Sequence, residues 1–367
     1  MAGIRKRVAL LGSTGSIGRQ TLQIARMFPE RIDIVALAAG RNAELLNQQV
    51  EAFHPKIASL AAEGPSLEEI ASSPEVDLVV IATSGATGLL PTLSAIRSGK
   101  SVALANKEVL VMAGAIVMAE ALRGGVDIKP VDSEHSAIWQ CMQGEQSEIS
   151  QIILTASGGA FRDLPAEELA NVTAAEALRH PTWSMGPKVT IDSANLMNKG
   201  MEVIEARWLF DVPFDRIKVM VHPGSIIHSM VEFTDGSLKA QLGVPDMRLP
   251  IQYALSHPDR WTNSEIPKID FSQVGSLKLS PIDFERYPCL RLAYETGAAG
   301  GTLPAVLSVA DEVAVDYFLN GRIGFFDIPR LLEDTLGRHQ PKEDPSIDDI
   351  FEADAWARET AIRWCEQ

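Results

Sequence analysis

Cysteine is scarce in this sequence. Three residues of 367, Cys141, Cys289 and Cys365, are too few and too scattered for a disulfide framework or a zinc site. Long apolar runs are missing as well: nothing approaches the roughly 18 continuous apolar residues of a membrane helix. Arg5, Lys6 and Arg7 precede an apolar stretch, but it spans only residues 8–11 and ends in Gly12, too short for a signal-peptide core. No transit segment is seen, so a cytoplasmic protein with reduced thiols and no membrane partner is expected. Basic residues are in the minority, 33 against 48 acidic, for a net charge of −15. That excess argues against general nucleic-acid binding, because phosphate backbones attract basic surfaces. There is no internal repeat and no low-complexity tract.

What is present is an ordinary globular composition, 46% hydrophobic and 22% charged. Its length allows two or three domains. Apolar runs at 8–11, 34–38, 78–82 and 101–105 read as strands. Helical periodicity at 19–28, 45–53 and 89–98 separates them. Strands and helices alternating at this spacing predict βαβ units and an α/β, Rossmann-like, doubly wound parallel sheet over residues 1–149. From about residue 150 short strands at 152–155, 219–221, 230–233 and 237–242 suggest an α+β domain running to 257. Residues 258–288 carry Pro258, Pro267, Pro281 and Pro288 and read as a linker. Helical periodicity dominates 289–367, predicting a C-terminal helical domain.

Gly12, Gly15 and Gly18 fall between the first strand and the first helix. Small residues there let the backbone approach a pyrophosphate, whose charge the helix N-terminus favours. The second strand is followed not by the acid that usually holds an NAD ribose but by Gly40-Arg41-Asn42. Arg41 can pair with a 2′-phosphate, which favours NADPH.

Two polar clusters follow. In Pro130-Val131-Asp132-Ser133-Glu134-His135 the two carboxylates are two residues apart. In extended structure they would point the same way and suit Mg²⁺ or Mn²⁺. The same stretch also reads as a helix start, with Ser133 as cap. In residues 192–202 Ser193, Asn198 and Lys199, with Ser157 upstream, offer donors to a phosphate. Glu202 could complete a three-carboxylate site, with Glu205 as its rival. Between the clusters, His180-Pro181-Thr182-Trp183-Ser184-Met185-Gly186 has the make-up of a lid near 180–188.

These residues bring a family into view. The chain resembles the 1-deoxy-D-xylulose 5-phosphate reductoisomerases of the non-mevalonate isoprenoid pathway. The matching blocks are GSTGSIG at 12–18, LANKE at 104–108, PVDSEH at 130–135, TASGG at 155–159, HPTWSMG at 180–186 and DSANLMNKGMEVIEA at 192–206. HSMV at 228–231, QLGVPDMR at 241–248 and RYPCLRLA at 286–293 extend the match. Gly224, Asn195 and Asp311 depart from the family pattern, where glutamine, threonine and asparagine are usual.

The resemblance implies a homodimer acting on a small sugar phosphate. It implies isomerisation, by retro-aldol cleavage and re-addition or by concerted migration, followed by reduction with NADPH. It also implies roles. Asp132, Glu134 and Glu202 would hold Mg²⁺ or Mn²⁺. Lys107, Glu134, His180 and His222 would serve the chemistry. Ser133, Glu134, Ser157, His180, Trp183, Met185, Ser193, Asn198, Lys199 and Glu202 would meet the substrate. Gly12, Ser13, Thr14, Gly15, Ser16, Ile17, Gly40, Arg41, Asn42, Asn106, Glu108, Gly186 and Met247 would meet NADPH. The rival reading is an NADP-dependent dehydrogenase of another sugar phosphate, which needs no metal for hydride transfer. A chelator separates the two.

Overall fold

The run 78–81 is buried at all four side chains, as a strand covered on both faces requires. In the computed structural model, which describes residues 5–61, 63–183 and 185–367, it lies in a six-stranded, wholly parallel sheet. The first elements are β1 (Lys6–Leu11), α1 (Ser16–Met27), β2 (Ile32–Ala39), α2 (Ala43–Phe53), β3 (Ile57–Leu60), α3 (Leu67–Ser72) and β4 (Leu78–Ile81). Then come α4 (Leu89–Arg97), β5 (Ser101–Leu104), α5 (Lys107–Gly124), β6 (Ile128–Pro130) and α6 (Ser133–Met142). The strand order β3-β2-β1-β4-β5-β6 reverses direction between β1 and β4, where open α/β sheets bind their ligands. The expected doubly wound sheet is thus present. β3, with one buried side chain of four, and β6, three residues long, complete it; neither offers an apolar run.

The following elements are β7 (Ile149–Ala156), α7 (Ala174–Ala177), α8 (Pro187–Asn195), α9 (Met197–Phe210), β8 (Ile217–Val221), β9 (Ile227–Phe233) and β10 (Leu238–Leu242). With β11 (Ser280–Pro281) these strands form a mixed sheet, β10-β9-β7-β8-β11, with β7 and β8 parallel and the other pairs antiparallel. The remaining elements are α10 (Arg248–Ser256), α11 (Pro288–Ala299), α12 (Leu303–Leu319), α13 (Asp327–Arg338) and α14 (Ile347–Cys365).

Contacts divide the chain into two units. The first holds the residues up to Leu110, Gly114–Trp139 and Asp246–Lys268; the second holds Val111–Ala113, Gln140–Pro245 and Ile269–Gln367. The division differs from the expected boundaries at α10, which joins the first unit. Its Ile251, Ala254 and Leu255 share a core with Val8 and Leu10 of β1 and Leu22 and Ile24 of α1. The expected linker 258–288 is divided between the units for the same reason. In the second unit α9, α11, α12 and α13 bury Met201, Leu292, Ala310 and Leu331 in one core. Gly200 is needed there, because a Cβ on it would lie 2.5 Å from the Cβ of Ala293.

One local expectation is overturned. Residues 132–134 are not extended: α6 begins at Ser133, and Ser136 N–H donates to the Asp132 carbonyl at 2.8 Å. The helix-start alternative is the correct one, shifted by one residue, with Asp132 rather than Ser133 preceding the first turn. The alternation argument for the two carboxylates therefore does not apply.

Candidate active site

In the first unit the glycine loop lies at the β1–β4 switch point. Gly12 has φ +92°, and a Cβ on it would stand 2.3 Å from the carbonyl oxygen of Ala82, just after β4. A Cβ on Gly18 would stand 2.3 Å from the Gly12 carbonyl oxygen. Only glycine lets strand, turn and helix pack this closely. Gly15 caps α1 with no side-chain hydrogen bond, and the first turn holds no acid, which leaves the helix N-terminus open to an anion. Ser13 is fully buried, its Oγ has no partner among the described residues, and its carbonyl takes a hydrogen bond from Gln49 at 2.9 Å. Thr14 is half-buried, Ser16 is exposed, and Ile17 packs on the core below.

Beyond β2, Gly40 and Arg41 are exposed, and Asn42 caps α2 by accepting from Leu45 N–H at 3.0 Å. Asn106 is buried and fully engaged: its Nδ2 donates to the carbonyls of Thr83 and Gly85, and its Oδ1 accepts from Val109 N–H. The expected cofactor contact is thus first a bracket that joins the ends of β4 and β5. Glu108 lies in the first turn of α5, and Met247 precedes α10 against the first unit's core. Lys107 pairs with Asp132, both largely buried. Asp132 Oδ1 accepts from Ser133 N–H at 2.9 Å, and Ser133 Oγ donates to Glu134.

In the second unit the structure brings Ser157, His180 and Ser193 together. His180 Nε2 lies 2.9 Å from Ser157 Oγ and 3.1 Å from Ser193 Oγ. Ser157 follows β7, and Ser193 lies on α8. Gly159, at φ +68°, permits this approach: a Cβ on it would stand 2.4 Å from the Ser193 carbonyl oxygen. His180 Nδ1 accepts the N–H groups of Thr182 and Trp183 at 3.2 and 2.9 Å, which puts the ring proton on Nε2. Burial, with the Arg162 charge adding to it, pushes His180 down to about 4, so the imidazole is neutral at physiological pH. Arg162 in turn donates to the carbonyls of Ser157 and Pro223.

Leu196, at φ +62°, breaks the chain between α8 and α9. The break sets Ser193 at the end of one helix and Asn198, Lys199 and Glu202 in the first turns of the next. Asn198 Nδ2 donates to Glu202 at 2.6 Å, and Lys199 forms an ion pair with the same carboxylate. Trp183 lies against His228 with ring centroids 6.1 Å apart. Met185 is half-buried, and Gly186 caps α8; Ser184 of the expected lid lies outside the described residues.

His222 is placed differently from a free acid–base. It is buried, its Nδ1 donates to the Lys278 carbonyl at 2.7 Å, and its Nε2 accepts from Ile226 N–H at 3.1 Å. Both nitrogens hold the turn that follows β8. Beside it Gly224 has room, since a Cβ would come no closer than 3.7 Å to the His222 ring.

Sequence reasoning missed Arg162 and a buried cluster of Lys188, Asp192 and Asp311. The spacing of Lys188 and Asp192, one helical turn apart, was a usable signal. Asp311, 123 residues from Lys188, stood out only as a departure from the family pattern, with nothing to name its partners.

A sequence model described as 1-deoxy-D-xylulose 5-phosphate reductoisomerase matches residues 8–66 and 61–114. One for the C-terminal domain of that enzyme matches 128–210, and one described as DXP reductoisomerase C-terminal domain matches 242–360. The chain is 53% identical to the 1-deoxy-D-xylulose 5-phosphate reductoisomerase of Heliobacterium modesticaldum, over 97% of this chain and 96% of the relative. It is 52% identical to that of Desulforamulus reducens, over 98% and 100%. Among solved structures it resembles the Zymomonas mobilis enzyme in complex with NADPH, with TM-score 0.91, 39% identity and 99% and 100% coverage. A DOX-P reductoisomerase in complex with NADPH, fosmidomycin and magnesium gives TM-score 0.90 at 38% identity, with 98% of each chain covered.

Proposed function

The chain belongs to the 1-deoxy-D-xylulose 5-phosphate reductoisomerase family, and from that premise we propose which of its residues do the work. The enzyme converts 1-deoxy-D-xylulose 5-phosphate to 2-C-methyl-D-erythritol 4-phosphate with NADPH and a divalent metal ion. The observation that carries the assignment of residues is the Ser157–His180–Ser193 cluster: three neutral hydrogen-bonding groups fixed around one point. Together with Asn198 and Lys199 it is suited to a phosphate group.

The cofactor groups fit the residues present. The glycine cradle, the unpartnered Ser13 Oγ and the open start of α1 suit a pyrophosphate. Exposed Arg41 beside the start of α2 suits a 2′-phosphate. Asp132, Glu134 and Glu202 offer only carboxylate oxygens, a donor set for hard cations such as Mg²⁺ or Mn²⁺. Bound NADPH supplies a hydride, and a bound cation supplies Lewis acidity toward the ketone and neighbouring hydroxyl oxygens.

The chain's own residues do the rest. Lys107 and Lys199 balance Asp132 and Glu202 while these are buried, and each brings an ammonium to its end of the substrate. Ser133 offers a hydroxyl to a substrate oxygen. His180 donates from Nε2 without adding charge. Trp183 and Met185 cover the substrate and exclude water. His222 shapes the wall through its turn. In this reading residues 1–149 together with α10 serve the cofactor, 150–245 the substrate, and 289–367 support the substrate part.

We also assign a homodimer and a cytoplasmic setting. β10 is an edge strand of the second sheet, with backbone groups available for pairing. Among the described residues no helix is long and apolar enough to cross a membrane. Light scattering at working concentration tests the dimer. The activity test follows NADPH absorbance with 1-deoxy-D-xylulose 5-phosphate and Mg²⁺. Turnover that stops on chelation and returns with excess Mg²⁺ is expected; turnover that survives chelation overturns the metal assignment.

A further inference from the structure

A buried charge cluster ties α8 to α12. Lys188, in the first turn of α8, places Nζ 2.6 Å from Asp192 Oδ2 and 2.7 Å from Asp311 Oδ2. The Asp192 side chain is 3% exposed and that of Asp311 0%. Lys188 therefore crosses from its own helix to α12, which is anchored on either side of Asp311 by buried Leu307, Ala310 and Ala314. The second oxygen of each carboxyl, Asp192 Oδ1 and Asp311 Oδ1, is buried with no hydrogen-bond partner among the described residues. A proton retained by one of the two carboxyls brings the cluster's charge to zero, which burial favours. Burial, then the Asp311 carboxyl, push the Asp192 carboxyl well up from the usual range, in keeping with a retained proton.

The position of this cluster gives it a use. α8 is nine residues long, capped by Gly186 at the end of the Trp183 segment, and it carries Ser193 in its last turn. The cluster is a second fastening for that helix, independent of its apolar contacts.

We propose that Asp311 is a positioning residue for substrate binding: through Lys188 and Asp192 it fixes α8, and so the Ser193–His180 pair that receives the substrate phosphate. This rests on Ser193 as a phosphate ligand. Asp311 touches neither substrate nor cofactor in this role. It acts on the affinity for 1-deoxy-D-xylulose 5-phosphate and not on that for NADPH, whose glycine cradle belongs to the other unit.

The test uses the full-length enzyme with Mg²⁺ and compares wild type, Asp311→Ala, Asp311→Asn and Ser193→Ala. KM for each substrate and kcat are measured, with amide hydrogen exchange over residues 187–195. In Asp311→Ala the exchange is expected to quicken about tenfold or more, and KM for 1-deoxy-D-xylulose 5-phosphate to rise about tenfold, the scale of one lost charge-assisted contact. KM for NADPH is expected to stay within about twofold. Asp311→Asn keeps an acceptor for Lys188 and a donor for Asp192, and is expected to restore both readouts. Unchanged exchange in Asp311→Ala overturns the proposal, as does an Asn variant as impaired as the Ala variant. If exchange quickens while neither Asp311→Ala nor Ser193→Ala moves the substrate KM, the phosphate role of Ser193 has failed and the helix clamp stands. Lys188→Met, with the same expected signature, carries the test if Asp311→Ala does not fold.

Discussion

Lys199 and Glu202 form an ion pair whose side chains are 4% and 1% exposed. A carboxylate is buried this deeply only against compensating charge and hydrogen bonds, and Asn198 supplies the second partner at 2.6 Å. A cation held by Glu202 would share that compensation with Lys199 and leave the ammonium for the phosphate.

Glu202→Gln keeps the shape and the Asn198 contact but removes the charge. Turnover is expected to fall by about a hundredfold or more, since Lewis-acid stabilisation is worth several kcal/mol. NADPH affinity, followed by fluorescence titration, is expected to hold within about twofold, because the cradle lies in the other unit. Equal losses of turnover and NADPH affinity would remove Glu202 from the metal set.

Arg41 is exposed beside the start of α2, and Asn42 caps that helix. Replacing Arg41 with alanine is expected to raise KM for NADPH about tenfold or more, the cost of one charge-assisted contact to phosphate. KM for NADH, which has no 2′-phosphate, is expected to be unmoved. Survival of the NADPH preference in Arg41→Ala would place its origin elsewhere.

His180 gives a pH dependence with a definite sign. Folded, its imidazole takes a proton only near pH 4; unfolded, near its ordinary value of 6.5. Between those values the unfolded chain binds the proton and the folded chain does not, so stability falls as pH drops from 6.5 toward 4. Urea unfolding at pH 7.5 and pH 5 is expected to show a larger loss in wild type than in His180→Gln. Parallel losses would mean that the ring titrates normally in the fold.

Much of this was legible in the sequence for identifiable reasons. β4 announced itself because a doubly covered strand must be apolar throughout. The glycine loop was readable because its geometry excludes side chains. The carboxylates of 132–134 were legible by type but not by geometry, since a helix start and a strand end share the same local composition. His222 and Asn106 show a further limit. Polar residues that look available in a motif are here consumed by backbone groups of distant segments, Lys278 for one and Thr83 and Gly85 for the other. Asp311 lay beyond reach because its partners arrive only when α12 packs on α8.

Among the glycines, Gly12 and Gly40 form a contrast that tests the cradle directly. Gly12 combines φ +92° with a Cβ position 2.3 Å from the Ala82 carbonyl oxygen, while Gly40 has no atom within 4 Å of its Cβ position. Gly12→Ala meets two penalties. The left-handed backbone costs about 1–2 kcal/mol for any residue with a Cβ. The contact with Ala82 must also be relieved, by moving β1 against β4 at the point where the sheet order reverses. A melting temperature lower by several degrees is expected, at about 2–4 °C per kcal/mol for a domain of this size. NADPH binding is expected to be lost with it. Gly40→Ala, in open space, is expected to melt within about 1 °C of wild type, as surface changes away from strained backbone do. Calorimetry with and without NADPH reads both variants. A Gly12→Ala protein that melts normally and still gains stability from NADPH would mean that the turn relaxes without cost, and that the close approach of β1 and β4 is not what shapes the cofactor site.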